Sequence, residues 1–364
     1  MTYLDYQATT PLAPEALAAM LPWLERQHAN PHSPHRAGRA AKAAVEHARG
    51  QVAALLPPGG QVAFTSGATE ALNWAIKGTR GPIVTLAIEH AAVLDTVAAE
   101  QARGRAVTIL PVGHDGLVDL DAARAAIVPG TGLMAAMLVN NEIGVIQPIA
   151  DLAALAHAAG ALMLCDAVQG YGRVPIPDTC DLVAISGHKI HGPKGIGALW
   201  IRDGVGVEPL LHGGGQEAPG RSGTLSPALC TGFGAAATLM KTRADEDAAH
   251  VERLWNLASD GLKRQGWTLN GAAAPRYHGN LNLRREGLDV NRLLSDLGDI
   301  AFSAGSACAS GSGRPSHVLR AIGLSDAEAR SSIRLGFGRM TTEDELAAAI
   351  ADIIAAADAQ RVAA

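Results

Sequence analysis

The chain has 364 residues, 48% hydrophobic and 18% charged, and its 30 Lys and Arg against 35 Asp and Glu leave a formal net charge of -5. At ~100 to 200 residues per domain this length predicts two domains with separate cores, and a charge balance neither basic nor clustered argues against nucleic acid or an anionic membrane surface as a direct partner. No apolar run is long enough to span a bilayer, and Asp5 stands where a basic leader followed by an apolar run would begin, so a soluble, cytoplasmic protein is expected.

From the start, Tyr3-Leu4-Asp5 reads as a short extended piece, and Pro11 and Pro14 precede a helical segment over 15–27. His28, His32 and His35 invite a metal reading, but Pro31 and Pro34 break any regular i, i+4 placement of ligands, so an ordered polar loop is expected and no metal site. After an alanine-rich helix ending near Leu56, a strand over 61–65 runs into Ser66-Gly67-Ala68-Thr69-Glu70 and a helix over 70–77 that Gly78 closes. Small residues and hydroxyls there leave backbone N–H groups open to an anion, although Ser and Thr begin many helices that bind nothing.

A strict alternation follows. Strand-like runs over 82–88, 106–112, 132–139 and 161–165 interleave with helical patterns over 91–102, 120–127 and 150–159. Near-continuous apolar strands between helices predict an α/β fold with a mainly parallel sheet covered on both faces, and such sheets bind ligands beyond the carboxyl ends of their strands. The residues expected there are 66–69, Glu89 and His90, Asn140 to Glu142, Asp166 with Gln169, and Ser186 to Lys189 after the apolar run 181–185. Each has an ordinary explanation on its own: His90 caps the next helix, Asp166 turns the chain, Asn141 closes a loop, and Lys189 sits solvated in a glycine-rich turn. Together they supply what pyridoxal phosphate needs. Lys189 offers a desolvated amine for a Schiff base, Asp166 a carboxylate to keep the ring nitrogen protonated, His90 a platform for the ring face, and Gln169 an amide for the ring oxygen. There is no G-x-x-x-x-G-K-[ST], and no G-x-G-x-x-G between the first strand and its helix, so nucleotide hydrolysis and dinucleotide binding have no support.

Beyond Trp200 comes a glycine-rich segment over 213–224, ending in Arg221-Ser222-Gly223-Thr224, which suits an anion or is simply a long surface loop. Helical patterns over 227–240 and 245–265 put a boundary near residue 242. This predicts a large domain of 14–242 and a smaller α+β domain of 1–13 with 243–364, the latter with strands over 280–283 and 300–303 and a helix over 290–297. The cysteines, Cys165, Cys180, Cys230 and Cys308, have neither C-x-x-C spacing nor the density of a disulfide framework. Cys165 and Cys180 are expected to be buried, whereas Cys308 lies in a loop of small residues and reads as a working thiol on a mobile arm. The run 332–337 alternates with period two, which turns Ile333, Leu335 and Phe337 to the core and Arg334 the other way, for carboxylate capture or for a surface ion pair.

Over nearly its whole length the chain resembles the cysteine desulfurases, within the class V aminotransferase family of fold type I enzymes. The resemblance rests on Phe64-Thr65-Ser66-Gly67-Ala68-Thr69-Glu70, Glu89-His90, Asn140-Asn141-Glu142-Ile143-Gly144, Asp166-Ala167-Val168-Gln169, Ser186-Gly187-His188-Lys189, Arg221-Ser222-Gly223-Thr224 and Gly305-Ser306-Ala307-Cys308, with 3–10 and 30–38. It implies that Lys189 carries the cofactor, that Asp166, Gln169 and His90 hold the ring, and that Ala68, Thr69, Ser186 and His188 hold the phosphate, joined by Thr224 from the other subunit of a homodimer. It also implies that Asn141 and Arg334 orient the substrate carboxylate. L-cysteine then becomes L-alanine, and Cys308 takes the sulfur as a persulfide for an acceptor such as an iron-sulfur scaffold or a tRNA-thiolation protein.

The loop around Cys308 resembles that of the family's long-loop group. Gln7 departs from the family pattern, and with Ala364 as the last residue the chain is expected to lack the C-terminal segment that dedicated cluster-assembly members use to dock their scaffold, which leaves the acceptor open. The rival enzymes on this fold are a selenocysteine lyase and an aminotransferase, the second opposed by Cys308. A non-catalytic sulfur-handling scaffold is opposed by Lys189, Asp166 and His90 standing together.

Overall fold

The computed structural model describes residues 1–218, 220–304 and 315–362. The chain opens with β1 (Thr2–Tyr3), α1 (Pro14–Glu25), α2 (Arg36–Ala53) and β2 (Gly60–Thr65). An alternation follows through α3 (Ala68–Lys77), β3 (Ile83–Leu86), α4 (Ala91–Ala102), β4 (Val107–Leu110), α5 (Leu120–Ala126), β5 (Leu133–Met137), α6 (Ile149–Ala158), β6 (Leu162–Asp166) and β7 (Leu182–Ser186). A 3-10 turn, Gly187–Lys189, then leads to β8 (Gly197–Arg202), α7 (Pro227–Thr242) and α8 (Ala244–Lys263). The remainder comprises β9 (Thr268–Leu269), β10 (Asn280–Arg284), α9 (Val290–Asp296), β11 (Ile300–Ala301), α10 (His317–Ala321), α11 (Asp326–Arg330), β12 (Ser332–Gly336) and α12 (Glu343–Val362).

Seven of the described strands form one sheet in the order β2-β8-β7-β6-β5-β3-β4. Strands β3 to β7 pair in parallel, and β5 and β7 are buried at every position, as strands covered on both faces must be. Only β8 runs the other way, antiparallel to both β7 and β2. No strand is expected there from the sequence alone. Residues 190–196 are too few for the crossover that a parallel return needs, so the chain comes back beside β7 in the opposite sense.

At the edge of this sheet Glu217, only 2% exposed, accepts a hydrogen bond from Phe64 N at 2.6 Å and is gripped by both terminal nitrogens of Arg49 at 2.7 Å. Arg49 also donates to Val62 O at 2.7 Å. The glycine-rich segment is thereby tied to β2 near its middle.

Leu4, Leu254, Leu281, Leu283, Ile333 and Leu335 belong to an apolar cluster separate from the one built on Met134, Cys165 and Val183. Val318, Leu319 and Ile322 of α10 pack with the latter, so this helix reaches back to the core of the large sheet. Strand β12 pairs with β10 with Asn282 opposite Arg334, and all five of its residues are buried. Arg334 is accordingly interior, not a surface residue.

The N-terminal segment is stitched to the turn that carries Lys189. Thr10 N donates to His188 O at 3.0 Å, His191 N donates to Thr10 Oγ1 at 2.7 Å, and Ala13 N donates to His191 O at 2.9 Å. No described helix is long and apolar enough to cross a membrane, and no metal-binding group of three or more His, Cys, Asp or Glu occurs among the described residues.

Candidate active site

A cavity of about 600 Å3 opens at the carboxyl ends of β2, β6 and β7. Its floor at one end is the start of α3. Gly67, the N-cap, contributes no side-chain bond there, which leaves the turn of Ser66, Ala68 and Thr69 facing the cavity with the positive end of the helix. Glu70 fixes this turn by accepting from Ser66 N at 2.7 Å and from Arg221 Nε at 2.8 Å. Burial alone would raise the Glu70 carboxyl, but those bonds outweigh it and hold the group below its usual range.

Behind the turn lies Gly197, where a Cβ would come within 2.6 Å of Ile185 O and 2.7 Å of the Gly67 carbonyl carbon. Both neighbours are backbone and cannot swing away. We therefore expect Gly197→Ala to displace the turn at a cost of about 1 to 3 kcal/mol, seen as a lower Tm and as easier loss of pyridoxal phosphate on dialysis; unchanged retention would show that the turn does not hold the phosphate.

His90 serves in both of the ways its position suggested. Its Nδ1 accepts from Ala92 N at 3.0 Å, capping α4, and the residue also lines the cavity. Because Nδ1 is an acceptor, the proton of the neutral ring sits on Nε2. Burial lowers its pKa, so the flat, uncharged form prevails.

Asp166 ends β6 with Oδ1 accepting from Val168 N at 3.0 Å. Burial raises its carboxyl, and the Val168 bond, His90 and Lys189 pull the other way. Such a group gains most from a cation or an N–H donor placed against it, which a protonated pyridine ring provides. Beside it Glu89 is fully buried, pushed well above the usual carboxylate range by burial and then by Asp166, and its Oε1 accepts from Met137 N at 2.8 Å. Burial and the neighbouring Asp166 thus favour the protonated form of Glu89.

Lys189 lies at the end of the 3-10 turn, with Nζ donating to Ala8 O at 2.8 Å and also to Gln7 O. Gln169 Nε2 donates to the same Gln7 carbonyl at 3.0 Å. His188 Nδ1 lies 3.0 Å from Thr9 Oγ1, and burial, followed by Lys189 and Lys194, pulls its ring down to about 4, so it acts as a neutral hydrogen-bonding group. Ser186 also lines the cavity.

On the opposite wall Arg334, 1% exposed, pairs with Asp5 Oδ1 at 2.7 Å and donates to Asn141 O at 3.1 Å. The ion pair that was the alternative for this residue exists, but its guanidinium is buried and not at the surface. Arg334 Nε has no partner among the described residues, so a donor remains for a carboxylate.

The cavity thus unites Ala68, Thr69, His90, Asn141, Asp166, Gln169, Ser186, His188, Lys189 and Arg334. Thr224 is exposed and is not part of its wall, and Cys308 lies outside the described residues. Sequence reasoning missed the lining by Gln7, Ala8, Thr9 and Lys194. Gln7 and Ala8 contribute backbone carbonyls, which leave no mark in residue type, and only the family-like stretch 3–10 pointed toward them. The set of groups fits pyridoxal phosphate: a helix start for a phosphate, a buried carboxylate for a ring nitrogen, a flat neutral imidazole and a primary amine.

Comparison with known proteins agrees with this chemistry. The family model described as aminotransferase class-V matches residues 2–348. The chain is 44% identical over 360 residues to a cysteine desulfurase, IscS, of Rickettsia bellii, covering 94% of this chain and 88% of that protein. It is 46% identical over 359 residues to the mitochondrial cysteine desulfurase of Saccharomyces cerevisiae, covering 94% and 72%. Among solved structures, a NifS-like protein from Rickettsia africae superposes with a TM-score of 0.90 at 30% identity over 98% of this chain and 99% of that one. DndA from Streptomyces lividans does so with 0.78 at 35% identity over 93% and 99%. The chain belongs to the class-V aminotransferase family, whose enzymes depend on pyridoxal phosphate, and within it to the cysteine desulfurases.

Proposed function

We propose that this enzyme takes sulfur from L-cysteine, releases L-alanine, and carries the sulfur on Cys308 as a persulfide for a protein acceptor. The observation that carries the reading is the convergence of Lys189, Asp166 and the start of α3 on one cavity. Bound pyridoxal phosphate supplies a carbon that accepts an amine and a ring that draws electrons from the substrate's alpha carbon. Ala68, Thr69, Ser186 and His188 would hold its phosphate, Asp166 its ring nitrogen, His90 its ring face and Gln169 its ring oxygen. Arg334 and Asn141 bind the substrate carboxylate. Lys189 Nζ then takes the alpha proton and returns it, as a general base followed by a general acid. Cys308 thiolate attacks the substrate sulfur, forming an S–S bond as the Cβ–S bond breaks, and a proton completes the methyl group of alanine. The test is to incubate the cofactor-loaded protein with L-cysteine, quantify alanine and locate persulfide by mass spectrometry. Absence of alanine would overturn the reading.

The same reading includes a homodimer. Thr224, exposed and outside the cavity of its own chain, is suited to complete the phosphate site of a second copy. We expect the active enzyme to sediment as a dimer, and Thr224→Ala to weaken cofactor retention; an active monomer at assay concentration would contradict this. The division into 14–242 and 1–13 with 243–364 is supported by the separate apolar cluster around Leu4, Leu281 and Ile333. A cytoplasmic location and an iron-sulfur scaffold or tRNA-thiolation protein as acceptor complete the proposal.

A further inference from the structure

A second cavity, of about 380 Å3, lies where the start of α8, the turn after Gln169 and the segments around Arg276 and Arg339 meet. It shares no lining residue with the first cavity, and nothing in the desulfurase reaction uses it. Its size falls within the range of ligand pockets. Two arginines in its wall are incompletely satisfied. Arg276, 7% exposed, donates from Nη1 to Asn270 O at 3.0 Å and Ala272 O at 2.9 Å, yet its Nη2 has no partner among the described residues. Arg339, its side chain 6% exposed, is paired with Asp247 through Nε at 3.0 and 3.1 Å and also through Nη2, and keeps Nη1 without a partner among the described residues. Buried guanidinium donors left this way are costly, and acceptors brought by a ligand relieve that cost. Burial pulls Arg276 down to about 9, so it remains a cation at neutral pH, and no described carboxylate forms an ion pair with it.

The rest of the wall restricts what the ligand can be. Asp247 and Glu252 also line the cavity and oppose a multiply charged anion such as phosphate. Val174, Pro175, Met240, Val251 and the rings of Tyr6 and Tyr277 offer an apolar surface. We propose that this cavity binds a small organic monocarboxylate, its carboxylate held by Arg276 and Arg339 and its apolar body by the aliphatic and aromatic wall. The site touches the catalytic turn through Arg173. That guanidinium lies 5.4 Å from the centre of the Tyr277 ring and donates to Gln169 O at 3.4 Å and to Lys189 O.

Calorimetry on the cofactor-loaded enzyme tests this with 3-phenylpropanoate as the probe and inorganic phosphate as the contrast. Saturable binding of 3-phenylpropanoate, one per chain, is expected, with phosphate at least tenfold weaker. Arg276→Gln and Arg339→Gln should each weaken binding by about tenfold or more, the fold-change of one charge-assisted hydrogen bond. Ala248→Trp, on an exposed position of α8 in the cavity wall, should fill the space and abolish binding while leaving helix content and cofactor absorbance unchanged. Four outcomes overturn the proposal: no saturable binding at millimolar 3-phenylpropanoate, phosphate binding as tightly, undiminished binding to Ala248→Trp, or binding that L-cysteine displaces competitively, which would put the probe on Arg334.

Discussion

Lys189→Ala is expected to lose alanine formation by about 10,000-fold or more, because in the proposed reaction one side chain supplies both the attachment of the cofactor and the proton transfers at the alpha carbon. The fold survives the change. Lys189 Nζ donates to the carbonyls of Gln7 and Ala8, while its turn is held by backbone bonds from Ile190 N and Gly192 N to Gly187 O at 3.1 and 3.0 Å. Lys194 also lines the cavity, so the measurement must tell the two amines apart. Borohydride treatment of the loaded enzyme followed by peptide mapping should find the reduced cofactor on Lys189 in the wild type and none in the variant. Cofactor fixed to Lys194 in the wild type would transfer the role there.

Cys308→Ser gives the second large effect, and a different one. In the proposed reaction, proton removal at the alpha carbon needs Lys189 and the cofactor, whereas removal of the sulfur needs a soft nucleophile. At a reference thiol pKa of ~8.5 about 3% of such a group is thiolate at pH 7. A serine hydroxyl ionises far less and its oxygen is a poor partner for sulfur. The variant should therefore bind L-cysteine with a persistent change in cofactor absorbance, release no alanine and carry no persulfide. Normal turnover would reassign the acceptor. Persulfide on Cys165 or Cys180 is not expected in the folded chain, since both thiols are fully buried.

Much of this was legible from the order of residues, because strands buried on both faces leave unbroken apolar runs and their ends concentrate polar chemistry. The runs 132–139 and 161–165 became β5 and β6, and Asp166, His90 and Lys189 met in one cavity. Strand ends were less legible. β5 stops at Met137, where pairing with β6 ends, although the apolar run continues to Val139. The setting of Arg334 was only partly legible for a related reason. Period two correctly turned it away from Ile333 and Leu335, but composition could not reveal that on the opposite face of β12 its guanidinium is met by Asp5 and Asn141. The second cavity left no local signal at all. Arg276 and Arg339 are far apart in the chain, and only the fold makes them neighbours of one space.

The pairing of Arg49 with Glu217 has a consequence for the enzyme at high concentration. An outermost strand with free N–H and C=O groups is a template on which other chains can lengthen a sheet, the first step toward aggregation. Val62 O and Phe64 N, two residues apart, point to the side of β2 away from β8, and here each is already occupied, one by a guanidinium and the other by a carboxylate. Because both blocking groups are charged and held on each other, a competing strand would have to displace a largely buried ion pair before it gained its first ladder bond. The segment that carries Thr224 thus doubles as a guard that keeps the sheet of one molecule from growing into the next.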